Sequence, residues 1–360
     1  MSDFIFATCQ VGAEGALKRE LARRRPAFRF AFSRPGFLTF KLPPDHRLKD
    51  DFNLRSVFAR AYGLSLGKVT GAAPEEMAAE AWRIAEGCGP QRIHVWPRDV
   101  RPAGDHGYEP GLTDESADVH RLLLASCPRP DALAANANQL VLPAEPGESV
   151  LDCVILAPDL WWIGRHRAKS VSSLYPGGMM PLELPPDAVS RAWLKMEEAL
   201  RWSRLPMPPD ARVAEIGSAP GGASQALLSR GFWVTGIDPA EMDPAVLKHP
   251  RFRHIRRRST QVRRREFQKI RWLTADMNVA PAYTLDAVEG IVTHPRVNIR
   301  GLLLTLKLTH WELADQLPEH IERIRSWGFN IVRARQLQHN RREICVAALK
   351  RPFRRKPSIG

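Results

Sequence analysis

The sequence predicts a doubly wound, mostly parallel α/β sheet in its second half, preceded by an α+β region. Three observations carry this reading. From Ser190 onward, short apolar runs alternate with amphipathic stretches at helical spacing, the pattern of strands joined by crossover helices. The glycine-rich loop Gly217-Ser-Ala-Pro-Gly-Gly222 sits between one such run and the next helix. Polar residues stand at the ends of the apolar runs, where sheets of this class bind their ligands.

In the N-terminal half, Asp3 to Cys9 alternates as a strand, and Gly12 to Arg25 places Ala16, Leu17, Leu21 and Ala22 on one helical face. Phe37-Leu-Thr-Phe40 reads as a strand after a Pro35-Gly36 turn. Pro74 to Glu86 reads as a helix with proline in its first turn. Arg92 to Trp96 is a further strand, and Leu151 to Ile163 holds two strands split at Pro158-Asp159. Arg98 to Thr113 is rich in proline, glycine and charge and is expected to be an exposed loop. Arg165 to Pro186 is expected to connect into the second domain. In the second half the helix Ser190 to Trp202 is followed by the strand Arg212 to Ile216, the helix Ala223 to Arg230, and the strand Phe232 to Ile237, which ends at Asp238. Ile270 to Ala275 is a strand ending at Asp276, and Gly301 to Leu306 one ending at Lys307. Leu317 to Gly328 is a helix, and Glu343 opens the final strand, Ile344 to Leu349.

Composition narrows the function classes. With 44% apolar residues over 360, the chain is globular and long enough for more than one core. No run approaches the roughly 18 apolar residues of a membrane span, and Met1-Ser-Asp-Phe has no secretory pattern. The five cysteines, Cys9, Cys88, Cys127, Cys153 and Cys345, form no CxxC pair and no ligand spacing with histidine. Reduced thiols in the cytoplasm and no metal site are the expectation. The net charge of +14 points to a polyanionic partner, with nucleic acid the commonest. Arg256-Arg-Arg258, Arg263-Arg-Arg265, Lys269 and Arg271 form its densest stretch, suited to a phosphate-binding rim, and Lys350 to Lys356 is a basic tail. Trp161, Trp162 and Tyr175 are candidates for stacking bases, although core packing is the commoner fate of tryptophan.

The loop suits a nucleoside cofactor. Gly217 permits a tight turn, and Gly221 and Gly222 admit close backbone approach. Asp238, at the end of the next strand, can accept both ribose hydroxyls. Pro220 occupies a position where a diphosphate-binding turn offers an N–H, which favours S-adenosylmethionine over a dinucleotide. Lys195, Asp276, Lys307 and Glu343 form the second constellation. Any one of them has an ordinary surface or turn explanation, but Lys307 at the end of an apolar run is costly without a partner. Two lysines and two carboxylates are a set that can deprotonate a ribose hydroxyl.

On these residues the chain resembles the ribosomal RNA large subunit methyltransferase M family, within the FtsJ-like 2′-O-methyltransferases. That family's Lys–Asp–Lys–Glu tetrad is matched by Lys195 in Ser190-Arg-Ala-Trp-Leu-Lys-Met-Glu-Glu198, Asp276 in Ala275-Asp-Met277, Lys307 in Leu306-Lys-Leu308, and Glu343 in Arg342-Glu-Ile344. Its cofactor loop is similar to Gly217 to Gly222, with Ala219 and Pro220 inside it. Arg333-Ala-Arg-Gln-Leu-Gln-His339 is similar to its approach to the last strand. The resemblance is good over 150–350 and weaker upstream, through Arg34-Pro-Gly-Phe37 and Ser56-Val-Phe-Ala-Arg60.

It implies a Rossmann-like methyltransferase domain over 171–352, a ferredoxin-like domain over 1–66, a THUMP-like RNA-binding domain over 67–170, and a tail over 353–360. It also implies S-adenosylmethionine as cofactor, a cytidine of 23S rRNA as acceptor, and Lys307 as general base. Burial beside Lys195 would lower the Lys307 pKa, and Asp276 and Glu343 would oppose this. One departure is Ser259, which stands where the family has an acidic residue facing adenine; it retains a hydrogen-bonding group. A monomer is slightly favoured. The rival readings are a noncatalytic rRNA-binding assembly factor on the same fold and, more weakly, a nicotinamide-dependent dehydrogenase.

Overall fold

Two seven-stranded sheets organise the chain in this computed structural model, which describes residues 3–45 and 47–350. Its contacts divide it at Pro181/Leu182.

The first unit contains β1 (Phe4–Thr8), α1 (Glu14–Arg24), β2 (Arg29–Arg34), β3 (Phe37–Lys41), β4 (Ala61–Thr70), α2 (Pro74–Ile84), β5 (Arg92–Pro97), α3 (Asp114–Ala125), β6 (Ser149–Ala157) and β7 (Leu160–Arg167). Its sheet runs β2-β3-β1-β4-β7-β6-β5. Only the β5/β6 pair is parallel. Helix α1 buries Ala16, Leu17 and Leu21, as its spacing requires. Trp161 is buried in the core with Val95, Ile155 and Ile163. Trp162 stacks on Phe32 and donates its ring N–H to Ser65 Oγ at 2.8 Å.

Three elements escape the sequence pattern for identifiable reasons. β2 is an edge strand with a largely exposed sequence, so it lacks the alternation a half-buried strand shows. β4 is interrupted by Gly63 and Gly67, and Gly63 is needed because a Cβ there would lie 2.6 Å from the Arg165 carbonyl oxygen. α3 starts with a capping box between Thr113 and Ser116, a signal hidden at the end of a loop-like stretch.

Two expected boundaries are corrected. The border between residues 66 and 67 falls inside β4, which pairs with β1 on one side and β7 on the other. The regions assigned to a ferredoxin-like and a THUMP-like domain therefore share one sheet. The segment after residue 170 also stays with the first unit. Arg60 Nε donates to the Gly177 carbonyl at 3.2 Å, Trp96 covers Gly177 so closely that a Cβ would meet its ring at 2.6 Å, and Met179 joins the same core as Phe6 and Phe37. The expected tail over 353–360 lies outside the described residues.

The second unit contains α4 (Ala192–Ser203), β8 (Arg212–Ile216), α5 (Gly222–Ser229), β9 (Trp233–Ile237), α6 (Pro244–Leu247), β10 (Phe252–Ile255), β11 (Trp272–Asp276), α7 (Pro281–Val292), β12 (Gly301–Lys307), α8 (Leu317–Ser326), β13 (Ile331–Arg335) and β14 (Glu343–Leu349). The sheet order is β10-β9-β8-β11-β12-β14-β13. The strands from β10 to β12 are parallel, and β14 is antiparallel to β12 and β13. This is the mixed, doubly wound sheet expected. The order reverses around β8, whose neighbours are β9 and β11, so a crevice opens beyond the carboxyl ends of these strands. The central strands read as near-continuous apolar runs because both faces are covered. β10 and β13 are the two edges and carry arginine or histidine among their apolar residues, an edge device that also hides a strand from a hydrophobic pattern.

Candidate active site

The glycine loop leaves β8 and enters α5 with a backbone only glycine tolerates easily. Gly217 has φ 78° and Gly221 φ 127°, both in the left-handed half of conformational space. A Cβ on Gly217 would stand 2.6 Å from the Asp276 carbonyl oxygen, and one on Gly222 would stand 2.2 Å from Ser190 Oγ. Between them the Ala219–Pro220 peptide is cis. Asp238 follows β9 and holds the loop: its Oδ2 accepts the Ala219 N–H at 3.2 Å, and its Oδ1 accepts the Ala240 N–H at 2.8 Å. Ser259 lies buried in the single turn Ser259–Gln261 after β10.

Beneath the loop, β8 carries Glu215, a group that sequence reasoning gave no role. The residue is 1% exposed, and burial pushes its pKa up to about 8, opposed by the hydrogen bond from Ser224 and helped by the negative charges of Asp276 and Asp238. Ser224 Oγ donates to Oε2. Oε1 is buried with no partner among the described residues. The cradle thus combines bare glycine backbone, the Asp238 carboxylate and an orphaned carboxyl oxygen. That donor set fits a nucleoside-bearing cation with an amino-acid tail.

The four polar residues expected to act together do meet. Lys307 and Glu343 are cross-strand partners in the β12/β14 ladder, and Asp276 ends β11 opposite Thr305 of β12. Lys195 projects from the first half of α4. Lys195 Nζ lies 2.7 Å from Asp276 Oδ2 and 3.2 Å from Glu343 Oε1. Lys307 Nζ lies 3.0 Å from Asp276 Oδ1 and also pairs with Glu343 Oε2. The result is a closed ring of alternating charge, with every ammonium between two carboxylates. All four side chains are largely buried, Lys307 being the most open at 20%.

Burial and pairing compete at each member. Burial alone would raise the Asp276 pKa, but the charges of Lys195 and Lys307 outweigh it and hold the carboxyl below its ordinary value. Burial alone would lower the Lys307 pKa, but Asp276 and Glu343 outweigh it and hold the ammonium above its ordinary value. The opposition left open by the sequence is thus settled for the resting protein: the carboxylates win, and Lys307 is an ammonium, not a free base.

Glu198, one turn beyond Lys195 on α4, was also missed. Its two oxygens accept the Gln338 N–H at 2.8 Å and the His339 N–H at 3.0 Å. This pins the segment leading into β14, which opens with Glu343. The Glu-Glu pair at 197–198 was the only available signal, and the first of the two serves elsewhere, accepting from Arg201 and Arg230.

The basic stretch begins directly after β10, and two single turns, Ser259–Gln261 and Arg264–Phe267, run through it. Arg253 pairs with Glu266 at 2.8 Å and Arg256 with Glu241 at 3.1 Å, while Arg271 caps the Gln268 and Ile270 carbonyls. Arg257, Arg258, Arg263 and Lys269 are exposed. Among the described residues, no helix is long and apolar enough to cross a membrane.

Comparison with known proteins places these features in context. Residues 188–325 match the FtsJ-like methyltransferase family. A ribosomal RNA large subunit methyltransferase M from Salmonella arizonae is 27% identical over 256 residues, covering 69% of each chain. One from Xylella fastidiosa is 29% identical over 226 residues, covering 59% of this chain and 62% of its own. A crystal structure of TrmN from Thermus thermophilus aligns over 96% of this chain and 99% of its own, at 15% identity and a TM-score of 0.36, too slight a likeness to carry an argument.

Proposed function

We propose, for a chain whose residues 188–325 belong to the FtsJ-like methyltransferases and which therefore uses S-adenosylmethionine, that the acceptor is a ribose 2′-hydroxyl of ribosomal RNA, a cytidine of 23S rRNA. The observation that carries this reading is the closed Lys195–Asp276–Lys307–Glu343 ring at the crevice beyond β8 and β11. The relatives in Salmonella and Xylella are named for rRNA methylation, and a net charge of +14 suits the same substrate.

Gly217, Gly221 and Gly222 would receive the cofactor, Ala219 and Pro220 would wall it, and Asp238, Ser259 and Asp276 would supply polar contacts. When bound, S-adenosylmethionine supplies a methyl group on a positively charged sulfur. The rest is the work of side chains. Lys195 and Lys307 orient the 2′-oxygen by charge-assisted contact. Lys307 releases its proton to water beside the cofactor's positive charge, and the resulting amine accepts the hydroxyl proton as the oxygen–carbon bond forms and the carbon–sulfur bond breaks. Asp276 and Glu343 then hold the restored ammonium. Asp276 and Lys195 keep their charges throughout and hold the ring in place. Ser259 offers a hydroxyl where the resemblance implies an acidic residue, and so would contribute a weaker cofactor contact. The first unit, for which the resemblance implies ferredoxin-like and THUMP-like regions, would hold the RNA.

The test is transfer of tritiated methyl from S-adenosylmethionine to bacterial 23S rRNA lacking its modifications, followed by nucleoside analysis. A 2′-O-methylated cytidine is expected, absent with Lys307→Ala while RNA retention stays near wild type. No transfer to naked or precursor-particle rRNA despite tight binding would replace this reading with a noncatalytic assembly factor.

A further inference from the structure

Three buried side chains on neighbouring strands of the first sheet converge on one point outside the methyltransferase unit. His94 on β5, Asp152 on β6 and His166 on β7 each offer a ligand atom, and these atoms lie within 4.8 Å of one another. The register produces this cluster. His94 stands beside Asp152 in the parallel β5/β6 pair, and Asp152 is opposite Gly164 in β6/β7, two residues from His166 on the same face. Their exposures are 1%, 0% and 8%.

With His166 neutral, the hydrogen bonding here does not close. His166 Nε2 lies 2.9 Å from the Ser173 carbonyl oxygen. A carbonyl can only accept, so Nε2 carries the ring proton. In the neutral ring Nδ1 then presents a lone pair, and it faces Asp152 Oδ2 at 2.8 Å. Two acceptors at that separation require something positive between them. Asp152 Oδ1 and both ring nitrogens of His94 are buried with no partner among the described residues, although buried polar groups are nearly always satisfied. His94 packs against His166, the ring centroids 5.6 Å apart.

The geometry points to a divalent transition-metal site of the zinc class, bound by His166 Nδ1, Asp152 and one ring nitrogen of His94, with solvent as fourth ligand. Two imidazoles and one carboxylate are a donor set that zinc favours over magnesium or calcium. The Ser173 carbonyl plays the outer-shell role common at such sites, fixing the tautomer and aim of a ligating histidine. The ion joins β5, β6 and β7 to the turn Val171–Ser173, so its binding energy contributes directly to folding. Spacing in the chain does not reveal this site, because its ligands become neighbours only through strand register.

The experiment uses the full-length chain, stripped with a chelator and titrated with cobalt(II) and then zinc(II). One equivalent of cobalt is expected to give four-coordinate visible absorption, zinc is expected to displace it, and Tm is expected to rise on loading. His94→Gln and Asp152→Asn, checked as folded by circular dichroism, should each weaken binding more than about tenfold. His310→Gln, an exposed histidine paired with Glu312, should leave binding unchanged. Failure of the folded wild type to bind either ion overturns the site and leaves a proton between Asp152 and His166. Equal binding by wild type and both variants overturns it as well.

Discussion

Replacing Glu215 with glutamine removes a carboxyl that the fold keeps neutral at physiological pH, and the consequence is a change in how stability depends on pH. The carboxyl titrates ordinarily at 4.5 and is pushed by burial to about 8. Below about 4.5 the folded and unfolded chains both hold the proton, so burial exacts no ionisation cost. Between 4.5 and about 8 the unfolded chain releases the proton while the folded one keeps it. Native stability therefore falls by about 1.4 kcal/mol for each pH unit. The accumulated loss is about 3 kcal/mol at pH 7 and about 5 kcal/mol above pH 8. Glutamine does not titrate and still offers Ser224 an acceptor. Urea unfolding of wild type and Glu215→Gln at pH 5, 6, 7 and 8 isolates the effect, because contributions from other groups cancel in the difference. The variant should gain on wild type steadily as pH rises. Parallel curves would show that Glu215 is ionised in the folded protein and that the reasoning from its burial is wrong.

Lys307→Ala should lower methyl transfer by about 10²–10⁴-fold, with cofactor affinity by calorimetry little changed; an equal loss of both would remove Lys307 from the chemical step. Asp276→Asn takes from both lysines a carboxylate held below its ordinary 3.8 and should destabilise the protein by about 3 kcal/mol near neutrality. That gap should close as pH falls through the lowered pKa, which acid titration followed by circular dichroism can read. Gly222→Ala places a Cβ 2.2 Å from Ser190 Oγ and 2.8 Å from the Ser190 carbonyl oxygen, so the start of α5 must move; the thermal shift produced by S-adenosylmethionine should vanish while the variant remains folded. Arg257 and Arg258 are exposed, and changing both to alanine should flatten the plot of log affinity against log salt for RNA by about 1.4. An unchanged slope would take this stretch off the RNA path.

Local pattern made much of the second unit legible. The parallel strands β8, β9, β11 and β12 are apolar because both faces are covered, so they stand out in a linear reading, and the residues at their carboxyl ends, Asp238, Asp276 and Lys307, fall where a ligand can reach them. The glycines at 217, 221 and 222 could be read as a close-approach loop because glycine puts no side chain between backbone and ligand. β2, β10 and β13 were not legible, since edge strands mix charge into their apolar runs, nor was β4, whose glycines answer to a neighbouring strand. What chain order alone specified was the central strands and helices and the chemical kinds of residue at their ends. Only packing decided that Lys307 rests as a cation between Asp276 and Glu343, that Glu215 is neutral, and that His94, Asp152 and His166 are neighbours. Each depends on distances of a few ångströms between residues far apart in the chain, and electrostatic and coordination energies are set by those distances and by exclusion of water.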